Sequence, residues 1–131
     1  MQLTILESIP DPMFTIDREL RYTDYRVARE EMLWYKPSQF IGRRVSEVVP
    51  EPLGTYFEEA IERAFYTGKL QTLEYKFGEG EQERFFEGRI IKLDENRALI
   101  ISRDISARKK LEKELRKAKD AAGLIDKAGR G

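Results

Sequence analysis

The sequence predicts an α+β domain, and three observations carry that expectation. Two strand-like segments near the start form a hairpin, a long amphipathic helix follows at Leu53 to Thr67, and three more strand-like segments then run consecutively as a meander. Strands and helices kept in separate runs, rather than alternating, mark an antiparallel sheet with its helices segregated. At 131 residues the chain has the length of one domain, enough to bury about two thirds of the surface its unfolded form exposes.

Each element has its own justification. Leu3, Ile5, Leu6 and Ile9 put apolar groups on one side of a short amphipathic helix over residues 1–10, stopped by Pro10-Asp11-Pro12. Met13 to Asp17 reads as a strand, Arg18-Glu19 as a tight turn, and Leu20 to Arg26 as the hairpin partner. Val27, Ala28, Met32 and Leu33 predict a helical stretch from Val27 to Trp34. Pro37 to Gly42 is one helical turn opened by proline and closed by glycine, and Val45, Val48 and Val49 form another that ends at Pro50. Leu53, Phe57, Ala60, Ile61, Ala64 and Phe65 make an apolar stripe at helical period, with Gly68 as its cap. The meander is Gln71 to Phe77, Arg84 to Leu93 and Arg97 to Arg103, linked by Gly78-Glu79-Gly80-Glu81 and Asp94-Glu95-Asn96.

At Asp104 the last strand runs into a charged helix without a loop. Beyond it Leu111, Leu115, Ala118, Ala122 and Ile125 recur at alternating spacings of four and three, a coiled-coil seam that two parallel chains would bury. Gly123 and a length of about two heptads weaken that seam. The expected organisation is therefore a core over residues 11–104, a dimerisation helix over 105–127 and a tail over 128–131. Leu3, Leu6 and Ile9 offer a second contact between chains.

Composition excludes several functions. The chain has no histidine and no cysteine, which removes the commonest metal ligand, general base, phosphoacceptor and thiolate nucleophile. No phosphate-cradling motif is present, and Gly78-Glu79-Gly80 is acidic where phosphate needs the opposite. The adjacent carboxylates Glu30-Glu31 and Glu58-Glu59 point in different directions on a helix and read as solvated. No catalytic or metal site is expected. Net charge is zero, yet from Ile105 onward nine basic residues face four acidic ones. A solvated helix flank accounts for this, because no aromatic residue interrupts the basic run as nucleic-acid binding favours. Neither nucleic acid nor direct membrane insertion is expected. With no secretion signal at Met1 to Glu7, the expected location is the cytoplasm.

Four phrases, in order and at matching spacing, resemble the PAS family of sensor modules: Ile5 to Asp17 (ILESIPDPMFTID), Leu33 to Arg43 (LWYKPSQFIGR), Thr67 to Tyr75 (TGKLQTLEY) and Asp104 to Leu115 (DISARKKLEKEL). The resemblance covers nearly all of Ile5 to Ala118. It implies one five-stranded antiparallel sheet in the order 2-1-5-4-3, with helices on one face enclosing a pocket. Three positions depart from the family's pattern. Arg26 stands where many members carry asparagine, Trp34 where they carry glycine, and Ser106 where they carry threonine.

Candidate pocket residues are Phe14, Ile16, Tyr25, Met32, Trp34 and Phe57, with Ile61, Phe65, Tyr75, Phe85 and Ile100. Plain core packing accounts for the same eleven without a ligand. Arg26 is the charged candidate: turned inward it would match a carboxylate, though an arginine at a strand end is ordinarily exposed. The family's histidine-ligated haem and cysteine-linked chromophores are chemically excluded. A non-covalent small organic ligand or flavin stays compatible, and no cofactor is expected. Asp104 and Ser106 are the expected exit for a signal. The carboxylate before the helix can accept first-turn N–H groups, stabilising the helix start by about 1 kcal/mol. The family adds a role in tying the last strand to that helix.

These readings converge on a non-enzymatic sensory and dimerisation module, active as a homodimer joined to a downstream output domain of a larger protein such as a sensor histidine kinase. A purely structural protein-interaction domain without a ligand is the alternative.

Overall fold

The structure, a computed structural model, describes residues 10–129, with side chains through residue 122. The helix expected over residues 1–10 falls outside them apart from Pro10, as does the side chain of Ile125. Five strands and four helices follow in order: β1 (Met13–Asp17), β2 (Tyr22–Arg26), α1 (Pro37–Phe40), α2 (Val45–Val48), α3 (Leu53–Thr67), β3 (Gln71–Phe77), β4 (Arg84–Asp94), β5 (Arg97–Asp104) and α4 (Ser106–Gly129). The strands form one sheet in the order β2-β1-β5-β4-β3, every pair antiparallel.

Alternation sorts the strand residues onto two faces. Phe14, Ile16, Ala98, Ile100, Gly88 and Ile90 point to the face that α3 covers, and the registers Ile16↔Ala98, Phe14↔Ile100 and Ile90↔Ile100 align them across strands. Phe57, Ala60, Ile61, Ala64 and Phe65, the stripe on α3, are buried with them in one core. Ile16, Ile61 and Ile90 are fully buried, each stabilising the fold by about 1.5–3 kcal/mol. Gly88 is what lets α3 approach: a Cβ there would stand 3.1 Å from Cε1 of Phe57. Gly68, at φ 71°, ends α3 in the left-handed conformation and donates its N–H to the Ala64 carbonyl.

Two expectations are corrected. Leu20 is not part of β2; it closes the preceding turn at φ 65°, a conformation uncommon outside glycine. Asp17 holds that turn by accepting N–H bonds from Glu19 and Arg21 at its Oδ1, while the Leu20 side chain is buried. The stretch Val27 to Trp34 is not a helix either, and contains only a 3₁₀ turn at Glu30–Met32. The reason is geometric: Met32, Leu33, Trp34 and Tyr35 all line one cavity, and four consecutive helical residues would point around the whole helix.

Glu58, expected to be solvated, is also placed differently. Its carboxylate accepts bonds from Arg44 Nε at 3.1 Å and from the Ser46 backbone N–H at 2.8 Å, clasping the start of α2 to α3. Burial raises the Glu58 pKa, but the Arg44 and Ser46 donors outweigh it and hold the carboxyl below its ordinary value.

Replacing Ile61 by alanine is expected to cost about 2–5 kcal/mol of unfolding free energy. Tyr66→Ala on the opposite, exposed side of α3 should stay within about 0.5 kcal/mol. Urea denaturation of the two variants checks the contrast.

Candidate functional site

A cavity of about 90 Å³ lies between the inner face of the sheet and the helical side. Its sheet wall is Phe14, Ile100, Ser102, Phe86, Tyr75 and Phe77; its other wall is Phe40, Val48, Val49, Leu53 and Phe57. Met32, Leu33, Trp34 and Tyr35 close it from the irregular segment between β2 and α1. Aromatic rings set its shape. Phe57 meets Tyr75 edge to face at 5.1 Å, Tyr75 stacks on Phe86 at 5.5 Å, and Trp34 packs against Phe77 at 4.9 Å.

Of the twelve residues expected to line a pocket, the cavity gathers Phe14, Met32, Trp34, Phe57, Tyr75 and Ile100. The other six lie elsewhere. Ile16, Ile61 and Phe65 pack in the core beyond the cavity, Phe65 with the Arg18 guanidinium 4.5 Å from its ring centre. Tyr25 rests its ring against Phe40. Arg26 ends β2 opposite Met13, exposed and directed away from the cavity. Phe85 is corrected by a single residue: the register sets Phe86 opposite Tyr75 and turns Phe85 to the other face. Tyr22, Tyr35, Phe40 and Phe77 were missed as lining, although their aromatic character was the available signal.

No lining residue of the cavity is charged, and its polar side chains are the hydroxyls of Tyr22, Tyr35, Tyr75 and Ser102 with the Trp34 indole. The Tyr75 hydroxyl donates to Ser102 Oγ at 3.1 Å. Burial raises the Tyr75 pKa and, helped by the nearby Tyr75 and Tyr35 hydroxyls, pushes Tyr22 well above the ordinary tyrosine range. These phenols stay neutral at physiological pH, so the cavity favours an uncharged, mostly apolar occupant.

Beside the cavity, a cleft of about 320 Å³ shares Pro12, Met32, Leu33, Trp34, Phe86 and Ser102 with it and adds Asp11, Glu31, Arg84 and Asp104. Ser102 and Asp104 occupy alternate positions on the same face of β5. The strand that floors the cavity therefore delivers Asp104 to the adjoining cleft.

Asp104 is held on both sides. Its Oδ2 accepts from Arg84 Nε of β4 at 2.9 Å, and its Oδ1 accepts the Ser106 backbone N–H at 2.9 Å. Partial burial raises its pKa, but the Ser106 and Arg84 donors prevail and hold the carboxyl below its ordinary value. Ser106, the first residue of α4, accepts the Phe85 N–H at its Oγ at 2.9 Å, and the Ile105 N–H donates to the Phe85 carbonyl at 2.8 Å. One turn on, Lys109 Nζ stands 2.7 Å from Glu74 of β3, with Arg108 3.4 Å from the same carboxylate. The helix thus begins at Ser106, one residue later than expected, with its first turn fastened to β4 and β3. Leu111 and Leu115 are 63% and 68% exposed, and Ala118 and Ala122 are exposed in the same protomer.

Because the folded-state pKa of Asp104 is depressed, its stabilisation of the helix start is complete above the ordinary carboxylate value, about 3.9. It is lost as pH falls through the folded value. Protection of the Ser106 amide, its exchange rate taken against the unstructured rate at the same pH, is expected to fall below about pH 4 ahead of that of core amides such as Ile90. In Asp104→Asn that acid-dependent step should disappear.

The chain matches the family model described as the PAS fold over residues 6–110. Among solved structures, it is similar to the PAS domain of histidine kinase ThkA, at 22% identity and a TM-score of 0.55, with 70% of this chain and 96% of that one covered. The PAS domain of BvgS from Bordetella pertussis is 18% identical at a TM-score of 0.52, covering 92% and 95%. A sensory box sensor histidine kinase from Vibrio cholerae is 10% identical at a TM-score of 0.60, covering 80% and 89%. Identities this low attest the fold alone. With strand order, helix placement and a family match over most of its length in agreement, the chain belongs to the PAS fold family.

Proposed function

We propose that this chain is a non-enzymatic sensory and dimerisation module of a larger signalling protein. Occupancy of the cavity would shift β4 and β5, and Asp104 would pass the change to α4. One observation carries the reading: Ser102 in the cavity and Asp104 at the start of α4 share a strand face two residues apart. An occupant that displaces Ser102 or Phe86 acts on the strand pair from which the helix departs. The resemblance of the chain to histidine-kinase PAS domains supports a kinase output and a cytoplasmic setting.

The occupant is a small organic molecule, smaller than a flavin. A cavity of about 90 Å³ lies below the usual range of about 300–1,000 Å³ for cofactor and drug-sized sites. Its lining also offers a flavin's polar ring edge no charged side chain, only tyrosine and serine hydroxyls and the Trp34 indole. Native mass spectrometry of the purified chain is expected to show a retained small molecule. A chain of bare mass that also binds no apolar probe would favour a structural interaction domain instead.

In the full-length protein, Asp104→Ala is expected to leave the core folded and to abolish the response of the output to its signal. An unchanged response with an intact fold would sink the proposed role of Asp104. The exposed Leu111 and Leu115 mark the parallel homodimer seam with Ala118, Ala122 and Ile125. Leu111→Glu with Leu115→Glu is expected to weaken self-association at least tenfold by sedimentation equilibrium. An unaltered dimer would place the interface elsewhere.

A further inference from the structure

We propose that the cleft beside Trp34 receives a small alkylammonium ion, its chain entering the cavity and its cationic head remaining at the mouth. This rests on the cavity being a ligand site and adds the class of ligand. An apolar cavity of about 150 Å³ holds a benzene ring; at about 90 Å³ this one has room for no more than a short alkyl chain, whose head then lies in the cleft. Its uncharged walls would reject a buried ionic head, so the charge belongs outside, in the cleft.

The cleft differs from the cavity in its charges. Asp11, Glu31 and Asp104 line it, with Arg84 as the only cationic side chain of that lining. Arg84 is committed to Asp104, and Asp11 accepts from Arg103 Nε at 3.1 Å. Glu31 is exposed and takes part in no ion pair among the described residues. A carboxylate ligand would have to take Arg84 from Asp104 while lying against Glu31 and Asp11. An ammonium group meets unspent negative charge there. It also meets Trp34, 44% exposed at the junction of cavity and cleft, and indole is the aromatic side chain that best attracts a cation. A head group drawn to Asp104 would compete with Arg84, which connects ligand recognition to the residue that starts α4.

Trp34 is the sole tryptophan, so its emission reports occupancy directly. The intact chain is titrated at neutral pH and matched ionic strength with pentylammonium, 1-pentanol and hexanoate, which differ chiefly in head-group charge. Pentylammonium is expected to saturate the emission change at about three- to tenfold lower concentration than pentanol, with hexanoate weakest. The preference over pentanol should shrink in 0.5 M salt, a condition chosen at roughly a 4 Å screening length, and in Glu31→Gln. If pentanol binds as well as the amine, or hexanoate binds best, the cation assignment is overturned while the ligand cavity stands. If no probe gives a saturable change, the cavity reading fails and this inference falls with it.

Discussion

The bonds that Phe85 makes beyond the end of the β4–β5 ladder are the constraint on which the arrangement depends. Phe86↔Asp104 is the final backbone pair. One step on, the Phe85 carbonyl accepts the Ile105 N–H and the Phe85 N–H donates to Ser106 Oγ. The serine hydroxyl stands in for the next rung, so the sheet's hydrogen bonding runs into the helix without a break. Ile105 is buried at the junction, which removes the slack that a solvated linker would introduce. The hydroxyl at position 106 completes this junction, and serine supplies it as threonine would.

The cavity combines walls of different stiffness. Phe14, Ile100, Ser102 and Phe86 stand on strands bonded on both sides, Tyr75 stands on the edge strand β3 paired along its length with β4, and alternation fixes where they point. Met32, Leu33, Trp34 and Tyr35 stand on a segment whose regular structure is one 3₁₀ turn. Few backbone bonds resist movement of that wall, and local stability follows such bonds and buried contacts. Under the proposed function, a ligand would enter and leave past the yielding wall, and the stiff one would carry the response.

Much of this was legible in the sequence, and the remainder was not for identifiable reasons. Gln71–Phe77 and Leu53–Thr67 were readable to the residue, because their apolar periods are unbroken and Gly68 punctuates the helix. Phe85 and Phe86 could not be told apart: both suit a strand, and only pairing with Tyr75 decides which faces in. Periodicity also says that Ile16, Ile61 and Phe65 are inside, but not at which end of the interior they sit. Tyr22 was overlooked because a tyrosine in a polar hairpin strand resembles surface, while Phe14 and Phe40 enclose its ring. The Val27–Trp34 helix was a misreading in which apolar spacing imitated a stripe that the fold spends on the cavity instead.

Fastening α4 only near its base has a mechanical consequence. The helix runs for 24 residues, about 36 Å at 1.5 Å per residue. Its ties to the sheet fall at Ile105, Ser106, Arg108 and Lys109, and residues 110–122 are exposed. Such a rod is a lever: a tilt of about 5° at the pivot, well within side-chain repacking, carries the far tip roughly 3 Å, over half the 5.4 Å pitch of an α-helix. A displacement too small to alter the shape of the sheet is thereby enlarged to the scale at which helices change partners.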